Sequence, residues 1–388
     1  MLHLYRMLHA IPFQRCIVTT SKVNRWQRRC DRLTQLLRRI KFPPLSSFTL
    51  DNTAFRLPVE AVAPPQGCLT EKQIEYLIGF FDGDGCVTMN KSTGRMSLKV
   101  SQTLDSATVL MRLRDSLGGG IYREKCQTGA HKAVLQWVVS GKTMQHAARV
   151  LCQVPSIKHA QLQIAATGNI AMTDRSEVAQ KLTLFKQKGH TPTDFQCSWP
   201  YFAGFFDAEG SITLPKRSVG LQLEVGQLND FVLEKLFCFL HLQKLIRWRL
   251  YRRDHVSKLS CTDFATCKLT LKRLLEAGLD VKQRQAALAL SLTADNHVQV
   301  REAKSELNGL QSKYERLDDA GIDRAKEIKR IGAQWHRASS QQERELLQVK
   351  LEGLREEHKL QKLITKTVRL RGSIRQSLRE GGLIRRMS

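Results

Sequence analysis

The sequence predicts an α+β fold built from two pseudo-symmetric αββαββα domains, with the two motif helices at their interface and a helical C-terminal extension. The main observation is a string that occurs twice. Residues 77–85 read Leu-Ile-Gly-Phe-Phe-Asp-Gly-Asp-Gly, and residues 202–210 read Phe-Ala-Gly-Phe-Phe-Asp-Ala-Glu-Gly, an offset of 125 residues. Polar residues further along each half recur at nearly the same offset. Self-similarity at a fixed period indicates two copies of one domain, and 388 residues suffice for both.

The first repeat opens with an amphipathic helix. Thr70 and Gln73 fit a capping box at its start, apolar residues recur at helical spacing after Ile74, and Gly85 suits its end. Strand and helix patterns then alternate: strands near 86–90 and 96–104, a helix near 105–117, strands near 121–126 and 132–140, and helices near 142–152 and from Lys158.

The second repeat shows the same order. Its first helix carries Trp199, Phe202 and Phe206 on one apolar face. The later elements are predicted as strands 211–215, 220–227, 244–253 and 256–262 and as helices 229–242, 266–277 and 281–294.

These patterns predict the domain boundaries. The two domains are expected at residues 70–167 and 198–296. A proline-containing stretch, 46–69, and a polar stretch, 168–197, are interpreted as linkers. Residues 298–388 are rich in Glu, Lys, Arg, Gln and Leu and lack strand-forming patterns, so they are expected to form a charged helical extension.

The N-terminal segment, residues 1–45, is basic and contains a single acidic residue, Asp31. Two interpretations stay open. The composition resembles an organelle transit peptide, which predicts a mitochondrial or plastid protein. The segment could also be a basic arm that remains attached and contacts nucleic acid.

The overall charge points to a polyanionic partner. The chain has 62 Lys and Arg against 36 Asp and Glu, a formal net charge of +26. A charge of this size favours nucleic acid, with an anionic membrane surface as the remaining option. No apolar run has the length of a membrane span. The ten cysteines show no C-x-x-C spacing, so neither a zinc site nor a disulfide framework is expected.

Small residues at helical spacing predict that the two motif helices pack closely. Gly79 and Gly83 lie four residues apart in the first helix, as do Gly204 and Ala208 in the second. Small side chains on one face let two helix backbones approach. The C-terminal ends of the two helices should then meet.

Each of those ends carries an acidic residue, Asp84 in one repeat and Glu209 in the other. Carboxylates are disfavoured at a helix C-terminus and repel each other, so a bound cation is expected to compensate. Mg²⁺, or Mn²⁺, suits oxygen ligands and phosphodiester chemistry. Asp82 and Asp207 also repeat and are interpreted as helix-end or structural acids. The candidate metal ligands are Asp84 and Glu209, together with the adjacent Gly83 and Ala208.

Two further polar residues recur in register. Gln102 and Gln227 are 125 residues apart at predicted strand ends, and Lys158 and Lys282 are 124 apart at predicted helix starts. A lysine at a helix start is unfavourable to the helix dipole, so its repetition indicates a role.

The duplicated strings resemble the LAGLIDADG signature of homing endonucleases, and the repeated αββαββα order is similar to the single-chain, two-motif members of that family. The resemblance covers about residues 70–294. It implies that Asp84 and Glu209 are the acidic metal ligands. It further implies that Gln102 and Gln227 position water and metal. Lys158 and Lys282 would lie near the scissile phosphates, where a positive charge stabilises the transition state.

The resemblance also implies an activity. The family's members cut both strands of double-stranded DNA at long sites with a divalent metal, leaving short 3′ overhangs, in the process of intron homing. A chain with both motifs is expected to act as a monomer.

The strands of both repeats supply candidate DNA contacts. In Ile246-Arg247-Trp248-Arg249-Leu250-Tyr251-Arg252-Arg253, a period of two separates basic and aromatic residues from an apolar face. Such a sheet face could read base edges in the major groove. The candidates are Lys91, Arg95, Lys99, Tyr122, Arg123, Lys125, Lys132, Lys216, Arg217, Arg247, Arg249, Tyr251 and Arg253.

Two alternatives keep the fold and change the function. One is an RNA maturase or intron-splicing protein that binds structured RNA without cleavage, and the other is a ribosome-associated, rRNA-binding protein. The intact acidic, Gln and Lys set favours cleavage, whereas the basic helical extension keeps the RNA-binding alternatives open.

Overall fold

The computed structural model describes residues 2–64, 67–168, 171–185, 195–215, 219–252, 256–307 and 314–384, with side chains from residue 21 onward except that of residue 172. The chain forms an α+β protein with two sheet-containing repeats and a separate helical unit. No helix in these ranges combines the length and apolarity needed to cross a membrane.

Two central helices, α2 (Glu71–Asp84) and α7 (Trp199–Glu209), pack against each other along their length. The predicted capping box is present: the Thr70 side chain accepts from the Gln73 amide and the Gln73 side chain accepts from the Thr70 amide. The hydroxyl of Ser198 caps α7 by accepting the Tyr201 amide. Both helices end where an extended glycine follows, at Gly85 and Gly210.

The first repeat places a five-stranded antiparallel sheet over its helices. After α2 it contains β5 (Gly85–Met89), β6 (Met96–Thr103), α3 (Ala107–Leu117), β7 (Gly119–Lys125), β8 (Val134–Ser140), α4 (Gly141–Leu151) and α5 (His159–Thr167). The strand order is β4-β7-β8-β6-β5, where β4 is Val59–Val62. One side of the sheet is buried on the helices, because alternate residues of β6 and β8 enter the core.

The second repeat has the same order with a four-stranded sheet. After α7 come β9 (Gly210–Thr213), β10 (Gln222–Gln227), α8 (Asp230–Leu242), β11 (Arg249–Tyr251), β12 (Ser257–Cys261), α9 (Phe264–Glu276) and α10 (Gln283–Leu290), with strand order β11-β12-β10-β9. The buried residues of the two repeats form one continuous core.

Three regions differ from the sequence-based interpretation. Residues 46–69, interpreted as a linker, contain β2 (Ser47–Leu50), β3 (Thr53–Arg56) and β4, and β4 joins the first sheet. The strand predicted at 244–253 is only three residues long. The chain turns at Lys244, where φ is 61°, and the Leu245 amide donates to the Leu240 carbonyl, so residues before 249 cannot pair.

The inter-repeat stretch 168–197, also interpreted as a linker, contains α6 (Arg175–Leu184). The guanidinium Nη1 of Arg175 donates to the Ser92 carbonyl at 2.8 Å. This bond attaches α6 to the loop between β5 and β6.

The two chain ends form the helical unit. It consists of α1 (Leu2–Arg39), α11 (His297–Leu307), α12 (Asp319–Arg337), α13 (Gln341–Arg379) and a two-stranded pairing of β1 (Ile40–Lys41) with β13 (Leu383–Ile384). Its core contains Val23, Cys30 and Leu37 from α1 and Leu370 and Ile374 from α13. Residues 23–40 are therefore an integral part of this core.

We expect Leu370→Ala to loosen α1 from α13. Leu370 is 1% exposed, and removing a buried leucine side chain costs about 2–5 kcal/mol. Amide hydrogen exchange along residues 23–39 should accelerate while exchange in α2 and α7 stays unchanged. Val368→Ala on the same helix is the matched control, because Val368 is 62% exposed. Equal exchange in both variants would contradict this packing.

Candidate active site at the paired helix ends

The two motif helices approach at their small residues, as the sequence predicted. A Cβ atom added at Gly79 would overlap the carbonyl oxygen of Tyr201, and one added at Gly204 would overlap that of Tyr76. Near the C-terminal ends, a Cβ at Gly83 would overlap the Ala208 side chain. The backbones thus cross at glycine and bring the two helix ends together.

The acidic residues at these ends are each held by the predicted glutamine. The Gln102 Nε2 donates to Asp84 Oδ2 at 2.5 Å, and the Gln227 Nε2 donates to Glu209 Oε1 at 3.3 Å. Both glutamines are on the central strands β6 and β10. The structure therefore brings together the four residues in two equivalent pairs.

Each predicted lysine donates to the end of the motif helix in its own repeat. Lys158 Nζ donates to the carbonyl oxygens of Phe81 at 2.7 Å and Gly85 at 2.6 Å. Lys282 Nζ donates to the carbonyl of Asp207. These ammonium groups donate to main-chain carbonyls at and just beyond the helix ends and place positive charge beside the carboxylates.

The electrostatics couple the two repeats. Burial raises the pKa of the Asp84 carboxyl, and the charges of Lys282 and then Lys158 oppose that rise. Burial also raises the pKa of Glu209, and the negative charge of Asp84 raises it further. Burial lowers the pKa of both lysines, opposed mainly by Asp82 for Lys158 and by Asp207 for Lys282. Perturbed titration of this kind is typical of functional sites.

Asp82 and Asp207 are structural, as interpreted, and each joins three elements. Asp82 accepts the amides of Ile157 and Lys158, both at 3.2 Å, and the Tyr201 hydroxyl of the opposite motif helix at 2.8 Å. Burial raises the pKa of Asp82 to about 6. Asp82 therefore links its own motif helix and the start of α5 to the motif helix of the other repeat.

Asp207 makes the equivalent set: it accepts the amides of Asp280 and Lys282 and the Tyr76 hydroxyl at 2.8 Å. Sequence reasoning missed the two tyrosines. Their offset of 125 residues within the motif helices was the available signal.

We expect Tyr201→Phe and Tyr76→Phe to destabilise the protein by similar amounts. Each removes one donor from a buried carboxylate, which costs about 1–3 kcal/mol. Urea unfolding would measure the loss, with Tyr122→Phe as the control because Tyr122 is 41% exposed. Two clearly unequal losses would contradict the two-fold arrangement.

A small cleft opens beside the carboxylates. It has a volume of about 200 Å³ and is lined by Gly83, Lys158, Phe185, Glu209 and Gln227, among others. Phe185 enters from the segment between the repeats. The cleft therefore reaches the site at Glu209.

A divalent metal ion fits the donor set here. Across the described ranges, no group of three or more His, Cys, Asp or Glu side chains is placed to hold a metal. A metal at this site would therefore take the Asp84 and Glu209 carboxylates and complete its shell with backbone, water or substrate oxygens. Mg²⁺ binds with few protein carboxylates and several other oxygens, so the predicted ligands suit it.

The chain is similar to LAGLIDADG endonucleases of known structure. The meganuclease I-AabMI bound to uncleaved DNA is 18% identical, with 61% of this chain and 99% of that chain covered at a TM-score of 0.45. The homing endonuclease I-GzeII in complex with its DNA target is 11% identical, with 61% and 98% covered at a TM-score of 0.46. I-SmaMI, bound to an uncleaved DNA target in the presence of calcium ions, is 13% identical, with 62% and 100% covered at a TM-score of 0.41.

No model of a known protein family matches the sequence, and no curated protein matches it. The family resemblance noted in the sequence is thus found again among solved structures. At identities of 11–18%, it assigns no role to any residue of this chain.

The open face of the first sheet carries part of the predicted DNA-binding set. Lys99 lies on the side of β6 that faces away from the core, and Tyr122 pairs with Gln136 on the same face. Lys125 pairs with Val134, also on that face. The loop between β5 and β6 exposes Lys91 and Arg95.

Two predicted members of this set are engaged elsewhere. Arg123 pairs with the buried Leu135, so it points to the other side of the sheet, where its Nη1 donates to the Leu45 carbonyl at 3.1 Å. Lys132 forms an ion pair with Asp105. Strand alternation is the signal that separates Arg123 from Tyr122, because successive side chains point to opposite faces.

In the second sheet, Tyr251 is 52% exposed and pairs with Lys258, and Arg249 pairs with Ser260. Arg247 precedes β11 in a turn and is exposed. Ile246, predicted on the core face, is 59% exposed because the strand begins later.

Lys216, Arg217 and Arg253 lie outside the described residues. The sequence analysis missed Lys258, which shares the open face with Tyr251 and forms an ion pair with Glu224 at 3.7 Å. The alternation in Ser257–Cys261 was the signal for it.

Proposed function

We propose that this protein is a metal-dependent endonuclease that cuts both strands of double-stranded DNA at a specific site. The observation that carries this proposal is the pair of carboxylates, Asp84 and Glu209, at the ends of two helices that cross at glycine. Each carboxylate has a glutamine on a central strand and a lysine at the helix end. A two-fold arrangement of this kind supplies one half-site for each DNA strand.

The acidic and glutamine side chains of the site have different roles. Asp84 and Glu209 would hold a divalent metal, which would supply polarisation of a phosphate and activation of water. Gln102 and Gln227 fix the orientation of the carboxylates through the hydrogen bonds already described.

Lys158 and Lys282 oppose the rise in the pKa of the paired carboxylates and donate to carbonyls at the helix ends. Because Lys158 donates to main-chain carbonyls, its contribution is the field of its charge at the cleft.

The open faces of the two sheets provide the DNA-binding surface. They flank the helix ends, and their outward strand positions carry Lys99, Tyr122, Arg249, Tyr251 and Lys258. Cationic and aromatic side chains on a strand pair can contact phosphates and base edges in the major groove. The net charge of +26 suits a polyanionic substrate.

The full-length protein should be incubated with a randomised double-stranded DNA library, with Mg²⁺ and with EDTA, and the DNA ends sequenced. We expect metal-dependent cuts in both strands at one long motif. Absence of cleavage throughout the library, with tight binding to structured RNA instead, would reject the proposal in favour of an RNA-binding protein.

A further inference from the structure

Helix α1 has an arginine-rich face that is exposed on the surface of the helical unit. Arg25, Arg28, Arg29 and Arg32 are all exposed and recur at i, i+3, i+4 and i+7. At 3.6 residues per turn, they fall within an arc of about 100°. They line a cleft of about 450 Å³ together with Trp26, whose ring lies 5.1 Å from the Arg29 guanidinium.

The opposite face of the same helix is fixed. Val23, Cys30 and Leu37, spaced seven residues apart, are buried against α13, and the Cys30 Sγ donates to the Leu363 carbonyl at 3.3 Å. The arginine face is therefore held in place by the core of the helical unit.

The acidic side chain of this stretch is hydrogen-bonded to a glutamine. Asp31 Oδ1 accepts from Gln27 Nε2 at 2.9 Å, on a neighbouring face of the helix. The arginine face is thus a compact field of four positive charges over about 10 Å of helix, which matches a phosphate backbone.

The position of the helical unit indicates which nucleic acid the arginine face binds. The Phe42 amide donates to the Gln127 carbonyl at 3.2 Å, and the Gly129 amide donates to the Ile40 carbonyl at 3.0 Å. These bonds attach the segment that directly follows α1 to the loop between β7 and β8. Because Val134, at the start of β8, pairs with Thr103 next to Gln102, this loop lies at the end of the sheet that carries the site.

We propose that the arginine face of α1 binds the sugar-phosphate backbone of the same DNA duplex, beyond the segment that the sheets cover. Guanidinium groups bind phosphate oxygens bidentately and carry no sequence information by themselves. The face therefore extends the footprint and the affinity without extending the recognition sequence. This inference rests on the DNA-binding part of the proposed function and needs no cleavage.

The test is DNA binding by the full-length protein in EDTA, on a random 40-base-pair duplex, across a range of salt concentrations. A variant with Arg25, Arg28, Arg29 and Arg32 changed to Ala should reduce the salt slope of log K by about 3 to 4, because each lost phosphate contact removes about 0.9. Changing the same four residues to Lys should restore most of the slope.

The matched control removes four exposed cations from other faces of the helical unit, by changing Lys326, Lys329, Arg330 and Lys350 to Ala. It has the same net charge as the test variant and should keep the parent slope. An equal loss in both variants would show a bulk charge effect and overturn the inference.

Two further outcomes would also overturn it. One is an unchanged DNA slope in the arginine variant, with site-specific cleavage intact, which would leave the proposed function standing. The other is unchanged DNA binding together with loss of binding to a hairpin RNA of equal charge, which would make this face an RNA-binding surface.

Discussion

Asp84→Asn and Glu209→Gln are each expected to lower double-strand cleavage by about 10³-fold or more while leaving DNA binding intact. Each substitution removes one of two carboxylates from a site that supplies no third acidic ligand among the described residues. The glutamine partners can still donate to the new amide oxygen, so the surrounding geometry should persist.

These variants should not unfold the protein. Burial disfavours both charges and the charge of Asp84 disfavours that of Glu209, so neutralising either residue relieves an unfavourable interaction. We expect equal or higher stability in EDTA. Added Mg²⁺ should raise the melting temperature of the parent protein and have a smaller effect on the variants, because a ligand stabilises the state that binds it.

Matched controls are Asp115→Asn and Glu177→Gln, which make the same chemical changes at side chains 59% and 66% exposed. They should cleave at the parent rate. Cleavage by Asp84→Asn or Glu209→Gln at the control rate would show that the paired carboxylates are not the metal ligands.

Gly204→Ala is expected to destabilise the protein by more than about 3 kcal/mol, and Gly79→Ala by a similar amount. In an exposed helix, replacing glycine by alanine stabilises by about 0.5–1 kcal/mol. Here the added Cβ would overlap a main-chain carbonyl oxygen of the opposite helix. Neither backbone can move without separating the two helices, so the sign of the effect reverses.

Gly332→Ala and Gly353→Ala provide the comparison, because both glycines are inside helices and a Cβ at either meets no atom within 4 Å. They should be neutral or slightly stabilising in urea unfolding. Because the helix ends carry the carboxylates, the Gly204→Ala and Gly79→Ala variants should also lose cleavage. A stable, active Gly204→Ala protein would contradict the close crossing of α2 and α7.

Local patterns predicted much of the fold. The duplicated string, the helical spacing of apolar residues and the strand alternation place α2, α7 and most strands within a few residues of their observed bounds. These features depend on neighbours in sequence, so they are readable without a structure. The predicted start of β11 was wrong because the chain turns at Lys244, which has a left-handed conformation, and at the buried Leu245. The alternating sequence pattern continues across this turn and does not reveal it.

By itself, the sequence determined the repeat, the recurrence in register of Asp84 with Glu209 and of Gln102 with Gln227, and the close approach at Gly79 and Gly204. All of these follow from residue type and a constant offset. Only the tertiary structure decided which groups meet across the repeats. The Tyr201–Asp82 bond, the capping of α2 by Lys158 and the joining of the two chain ends connect residues 73 to 333 positions apart. Such contacts depend on packing of surfaces, and no periodicity within one segment reports them.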